Sequence, residues 1–256
     1  MEKLSIIKVG GAVVEDHSAL GAFLDRFAGI EGRKILVHGG GREATRVASA
    51  LGVPTQMVEG RRVTDAAMLD IVTMVYAGKV NKGIVSSLKS RGVKAVGLTG
   101  ADLNCITSVK KAVGDVDYGY VGIVKEIDQD VFGSLMELGA VSVVSPITCD
   151  AGGQLLNTNA DSLASALAVG MSARYEVELI FCFEKKGVLS NPDDDSSVIT
   201  HIDTAIYRSF KEDGTVSGGM IPKLDGAFDA LAKGVSRVRI TNAETLDSTS
   251  GTHISL

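Results

Sequence analysis

Short runs of β-branched and aliphatic residues alternate along the chain with stretches whose apolar residues recur every three or four positions. Ser5–Val9, Lys34–Val37, Val93–Leu98, Ala140–Ser145, Val177–Phe183 and Val235–Ile240 predict strands. Several are apolar at nearly every position, as in parallel strands covered on both faces. The intervening helical patterns are Asp16–Phe27, Arg42–Leu51, Asp65–Arg91, Asp128–Leu138, Ala160–Met171, Thr204–Glu212 and Lys223–Lys233. The third is long, with a break expected near Gly78 or Gly83. Strands alternating with helices imply βαβ units, hence an α/β fold: an open αβα sandwich around a mostly parallel central sheet.

Two stretches depart from this rhythm. Asn104–Val124 holds short β-like pieces around Gly114 and around Tyr118-Gly119-Tyr120, and reads as a β-hairpin leaving the main sheet. Asn191-Pro192-Asp193-Asp194-Asp195-Ser196-Ser197 reads as a polar loop. A lobe boundary is expected between Gly170 and Tyr175, dividing the chain into 1–173 and 174–256. No internal repeat is present.

Composition narrows the class. The 256 residues are 45% hydrophobic and 22% charged, enough apolar material for a sizeable core. Thirty-one acidic against 26 basic residues give a net charge of −5, unlike a nucleic-acid footprint. Cys105, Cys149 and Cys182 are odd in number and widely spaced, which fits small buried hydrophobes in a reducing compartment better than disulfides or a metal cluster. No apolar run reaches membrane-spanning length and no leader is evident before the first strand, so a soluble cytoplasmic protein is expected.

The candidate chemistry sits where strands hand over to helices. Lys8-Val9-Gly10-Gly11 closes the first predicted strand, the end at which open α/β sheets bind ligands. Its two glycines let backbone N–H groups approach an anion with no Cβ between, although a tight turn with a surface lysine would look the same. His38-Gly39-Gly40-Gly41 repeats the arrangement after the second strand and opens a helix, a ready anion site. His38 itself reads better as a hydrogen-bonded structural residue than as a base. Gly60-Arg61-Arg62-Val63-Thr64-Asp65 offers guanidinium groups for a carboxylate, or merely a solvated basic corner.

Asn157-Thr158-Asn159-Ala160-Asp161 leads into an apolar helix. One asparagine suffices to cap it, which leaves the other and Asp161 for further work, such as orienting neighbouring lysines. Gly218-Gly219-Met220-Ile221-Pro222-Lys223 is another glycine pair before a helix start, followed by a lysine that partners Lys8. Neither GxxxxGK[ST] nor GxGxxG occurs. Glycine-rich turns at helix starts, two lysines and an aspartate together describe a site for a polyphosphate and a moving phosphoryl group, because phosphoryl transfer is mostly positioning and stabilisation of spread charge.

These motifs, in this order from residue 8 to residue 223, resemble the amino acid kinase family, and within it the branch that phosphorylates N-acylated glutamates. The resemblance implies ATP and Mg²⁺, with N-acetyl-L-glutamate as acceptor, an acyl phosphate and ADP as products, and a place as the second step of arginine synthesis. It implies Lys8 on the transferring phosphoryl group, Lys223 at the leaving β-phosphate and Asp161 holding both lysines. Gly10, Gly11, Gly39, Gly40, Gly41, Gly218 and Gly219 would line phosphate, with Gly40 and Gly41 also meeting the acceptor. Arg62 and Asn157 would grip the α-carboxylate. Residues 1–173 would bind the amino acid and form a homodimer, and 174–256 would bind ATP. With only Met1-Glu2-Lys3 before the first strand, no arginine feedback is expected. No protein metal site, nucleic acid or membrane partner is implied.

Two positions depart from the family pattern. Cys182-Phe183-Glu184-Lys185-Lys186-Gly187 stands where a Thr-Asp or Ser-Asp pair precedes a glycine, so Glu184 takes the nucleotide-side acidic position. Arg61 adds a cation beside Arg62, which suits either solvent or a more anionic acyl group such as succinyl. Other readings are an aminoadipate derivative or aspartate as acceptor, or a non-catalytic amino-acid sensor of the same fold. The sensor would be marked by loss of Lys8, Asp161 or Lys223, and all three are present.

Overall fold

Ile6 and Ile7 are neighbours on the first strand, point to opposite faces, and are both fully buried. That strand therefore lies in the middle of a sandwich. The computed structural model describes residues 1–58, 60–191 and 193–256. Pro192, part of the predicted polar loop, lies outside the described residues.

The strands are β1 (Glu2–Val9), β2 (Arg33–His38), β3 (Met57–Val58), β4 (Arg61–Arg62), β5 (Ala95–Leu98), β6 (Ile106–Lys110), β7 (Val121–Ile127), β8 (Val141–Val144), β9 (Ile147–Cys149), β10 (Leu155–Thr158), β11 (Tyr175–Phe183), β12 (His201–Ile202), β13 (Arg237–Asn242) and β14 (Thr252–Ile254). The helices are α1 (Gly11–Glu15), α2 (His17–Gly29), α3 (Gly41–Ala50), α4 (Ala66–Val72), α5 (Asn81–Lys89), α6 (Gln129–Glu137), α7 (Ala160–Met171), α8 (Thr204–Glu212) and α9 (Met220–Ala232).

Eight strands form the main sheet in the order β12-β14-β13-β11-β1-β2-β8-β5. All its pairings are parallel except β13 with β14. All six predicted strands belong to it. Each face carries its own core. Leu4 and Ile6 of β1, Ile35 of β2 and Leu179 of β11 pack with α6, α7 and α9 through Phe132, Leu167 and Leu224. Ile7, Val9, Leu36 and Ile180 pack on the other face with α2 to α5 through Phe23, Phe27, Val72 and Ile84. Each such side chain, fully removed from water, contributes about 1.5–3 kcal/mol.

The long predicted helix is continuous in direction but not in register. Between α4 and α5, Thr73–Val80 is wound as a π-helix. Gly78 and Gly83 lie inside helical turns, so neither breaks the chain as expected. The hairpin expected over Asn104–Val124 does form outside the main sheet, β6 and β7 pairing antiparallel, but its strands sit differently. The strands are β6 and β7, flanking the predicted pieces, and Gly114 and Gly119 lie in the connection. With β9 and β10 they close into a four-stranded barrel-like sheet. The helix expected from Lys223 starts three residues earlier, at Met220.

Candidate active site

Asp161 stands in the first turn of α7, whose N-cap is Asn159: its side chain accepts from Ser162 N at 3.0 Å. This cap fixes where the helix begins, and therefore where Asp161 points. Its carboxylate meets Lys8 Nζ at 2.7 Å through Oδ1 and Lys223 Nζ at 2.9 Å through Oδ2. Lys8 comes from the carboxyl end of β1, opposite Phe181 of β11 and Val37 of β2. Lys223 comes from the first turn of α9. Burial pushes the Asp161 carboxyl up, but the charges and hydrogen bonds of Lys8 and Lys223 bring it down to about 2. The carboxylate is thus ionised, and two ammonium groups from opposite ends of the sequence are fixed side by side, with a net positive charge left over.

The glycine turns of β1 and β2 are pressed together. A Cβ on Gly39 would lie 3.2 Å from Gly11 N, and one on Gly11 would lie 3.8 Å from the nitrogens of both Gly40 and Gly41. The starts of α1 and α3 therefore face one another. The N–H groups of Gly10 and Gly39 are already donated, to Cys182 O at 2.9 Å and Val9 O at 3.1 Å. That corrects their expected role: they bring the chain close, while Gly11, Gly40 and Gly41 hold the first-turn N–H groups that a helix leaves without internal partners. Glu15 takes one such group in α3, accepting from Glu43 N at 2.8 Å.

His38 is fully buried beneath this loop. Its Nδ1 bonds Gly39 O at 2.8 Å, and Asn81 Nδ2 lies 3.1 Å from its Nε2. The amide is a donor, so Nε2 accepts and Nδ1 carries the proton. Burial pushes the ring's pKa down to about 4, which leaves it neutral. His38 is a strut for the glycine loop, as the sequence indicated, and has no part in proton transfer.

A small pocket of about 170 Å³ opens beside these loops, lined among others by Gly40, Gly41, Arg61, Arg62, Tyr76 and Asn157. Arg62, on the two-residue strand β4, is buried and donates from Nη2 to Gly41 O at 2.7 Å and Thr45 Oγ1 at 2.8 Å. Asn157 on β10 donates to Thr64 Oγ1 at 3.0 Å, and Thr64 donates in turn to Arg62 O at 2.9 Å. The barrel-like sheet is thereby tied to the arginine strand. Asn157 is left for the pocket because Asn159 does the capping.

The pocket continues into a cleft of about 870 Å³ that runs between α7 and α9 past Asp161, Gly219 and Lys223. Gly60, Arg61 and Asn159 belong to the wall of both. Gly218 takes a left-handed φ of 54°, turning the chain into α9. Glu184 does not join the group. Its side chain is more than half exposed and lies 3.5 Å from Arg42 on the first turn of α3. Among the described residues no three Asp, Glu, His or Cys side chains group to hold a metal ion.

Sequence reasoning missed Tyr76 and Asn81. Tyr76 enters from the π-helical segment, and a Cβ on Gly40 would lie 3.0 Å from its ring. Nothing in a helix pattern marks which aromatic residue faces a pocket. Asn81 carried one usable signal, an amide at a helical position that is otherwise apolar.

The sequence pattern of the amino acid kinase family matches residues 3–242. Acetylglutamate kinase of Bacteroides fragilis is 51% identical over 99% of this chain and 97% of its own. Among solved structures, the smu.665 protein of Streptococcus mutans superposes with a TM-score of 0.81 at 28% identity, covering 98% of each chain. Carbamate kinase of Giardia lamblia bound to AMP-PNP shares the fold, with a TM-score of 0.70 at 16% identity over 99% of this chain and 98% of its own.

Proposed function

The chain belongs to the amino acid kinase family, and from that premise we propose that it transfers the γ-phosphoryl group of ATP to the γ-carboxylate of N-acetyl-L-glutamate. The carrying observation is the Asp161 carboxylate shared by Lys8 and Lys223, beside a pocket that holds Arg62 and Asn157. In this reading the α-carboxylate is gripped by Arg62 and Asn157 and the γ-carboxylate lies toward the glycine turns. One γ-carboxylate oxygen attacks the terminal phosphorus in line. The bond to the β-phosphate oxygen breaks, giving an acyl phosphate and ADP.

The nucleophile is already ionised at neutral pH, so no general base is needed, in keeping with a neutral, buried His38. Lys8 faces the charge spread over the transferring group and Lys223 the charge growing on the leaving phosphate. Asp161 is a positioning residue that keeps both ammonium groups in place. Mg²⁺ enters as part of the nucleotide substrate. Residues 1–173 serve as the amino-acid lobe and 174–256 as the ATP lobe. The family resemblance also supports a cytoplasmic homodimer, which sedimentation velocity would test.

The experiment is incubation with Mg-ATP and hydroxylamine, which traps an acyl phosphate as a coloured hydroxamate, across N-acetylglutamate, free glutamate, aspartate and N-acetylaminoadipate. A signal with N-acetylglutamate that disappears in Lys8→Ala supports the reading. Folded protein giving no hydroxamate with any of the four, nor with N-succinylglutamate, overturns it.

A further inference from the structure

The cations at the site are almost all accounted for. Lys8 and Lys223 share Asp161. Arg62 is held by Gly41 and Thr45. Arg42 meets Glu184, and Arg46 and Lys79 meet Glu43. Arg61 is the exception among the cations that line the small pocket. It is half-buried, and among the described residues it has neither a hydrogen-bond acceptor nor a carboxylate partner.

Its position sharpens the anomaly. Arg61 precedes Arg62 on β4, so the two side chains leave the strand on opposite sides. Arg62 turns to the start of α3, whereas Arg61 belongs to the wall shared by the small pocket and the larger cleft. The pocket is therefore not closed at Arg61 but opens past it. An acyl group attached next to an α-carboxylate held by Arg62 has room to extend in that direction. A partly desolvated guanidinium there calls for an anion, and a planar carboxylate fits its paired N–H groups.

The proposed reaction leaves no charge over for it. The acceptor's α-carboxylate is matched by Arg62 and Asn157, while the γ-carboxylate and the phosphates are matched by the lysines and helix starts. Building on the acylglutamate kinase reading, we infer that Arg61 selects the acyl group: the site favours N-acylglutamates whose acyl chain ends in its own carboxylate, N-succinyl-L-glutamate being the simplest. Arg61 is then a specificity-determining residue that binds a third carboxylate and takes no part in the transfer.

The test compares N-acetyl- and N-succinyl-glutamate in the hydroxamate assay, with wild type and Arg61→Leu, each with KM for ATP determined. The expected wild type has the lower KM for the succinyl substrate. Arg61→Leu raises that KM by about ten- to a hundredfold, the effect of losing one hydrogen-bonded charge pair. The KM for N-acetylglutamate and for ATP stay within about threefold, which also shows the variant folded. Wild type that favours the acetyl substrate overturns the inference while leaving the kinase reading intact, as does an equal effect of Arg61→Leu on both acyl substrates. A rise confined to the KM for ATP would assign Arg61 to the phosphates instead and overturn it as well. Wild-type inactivity on both substrates would instead sink the kinase reading on which the inference rests.

Discussion

The Asp161 carboxylate pairs with the Lys8 ammonium at 2.7 Å although the two lie far apart in the chain. With Lys223 on its other oxygen, it converts two mutually repelling ammonium groups into one preorganised cationic patch. Asp161→Asn keeps the shape but removes the charge, so the two lysines repel and drift. We expect kcat to fall by about a hundredfold or more, as when a preorganised charge-stabilising group is lost. KM for the acylated glutamate should change little, because Arg62 and Asn157 are untouched. Steady-state kinetics would check the split, and a KM effect larger than the kcat effect would refute the positioning role.

Arg62→Lys replaces a planar fork by a point charge. The lysine cannot hold Gly41 O and Thr45 Oγ1 at once while facing a carboxylate. KM for N-acetylglutamate is expected to rise about tenfold, the worth of one charged hydrogen bond, with KM for ATP unchanged. Kinetics with each substrate varied in turn would decide. A selective change in KM for ATP would move Arg62 to the nucleotide side.

His38 supplies a pH dependence of stability. Its folded pKa is about 4 against an ordinary 6.5. Between those values the unfolded chain binds a proton that the folded one refuses, so stability falls as pH drops from about 6.5 to about 4. The loss amounts to about 3 kcal/mol when complete. Denaturant unfolding across that range should show this decline in the wild type and a shallower one in His38→Gln. Parallel curves would show that the decline comes from other groups.

The main sheet was legible in the sequence because parallel strands buried on both faces must be apolar throughout, as Ile35-Leu36-Val37 are. The start of α7 was legible because Asn159 had to cap something. What escaped was structure made by contact rather than by pattern. The two-residue strands β3 and β4 are too short to show a period, yet β4 carries Arg61 and Arg62. β9 and β10 are short strands that pair with each other and with β6 and β7 in a separate sheet. Glu184 looked like a nucleotide ligand by its place after β11, but its side chain reaches Arg42 at the surface. The N–H groups of Gly10 and Gly39 were unreadable for a similar reason: their acceptors, Cys182 O and Val9 O, appear only once the strands are in register.

Gly119 connects a tight turn to the substrate pocket. Its φ is +70°, and a Cβ there would lie 2.2 Å from Thr64 O. Thr64 carries the hydroxyl that receives Asn157. Gly119→Ala should cost about 2–3 kcal/mol, from the left-handed backbone and the clash together. It should also raise KM for the acyl substrate by displacing Thr64. Gly114→Ala, in the same connection with nothing within 4 Å of its Cβ, serves as the neutral control. Thermal unfolding of the pair would separate the two, and equal melting temperatures would contradict the argument.

The central place of β1 has a consequence for the making of the protein. Glu2 pairs with Tyr175 and Lys8 with Phe181, so β1 stays open on one edge until β11 has left the ribosome. At about 5–20 residues per second the interval is roughly ten to thirty-five seconds. Throughout it, Ile6 and Ile7 wait beside a missing neighbour, and the lysine that would meet phosphate is not yet lodged against its aspartate. Lys8 is thus made long before the strand that fixes it in the sheet.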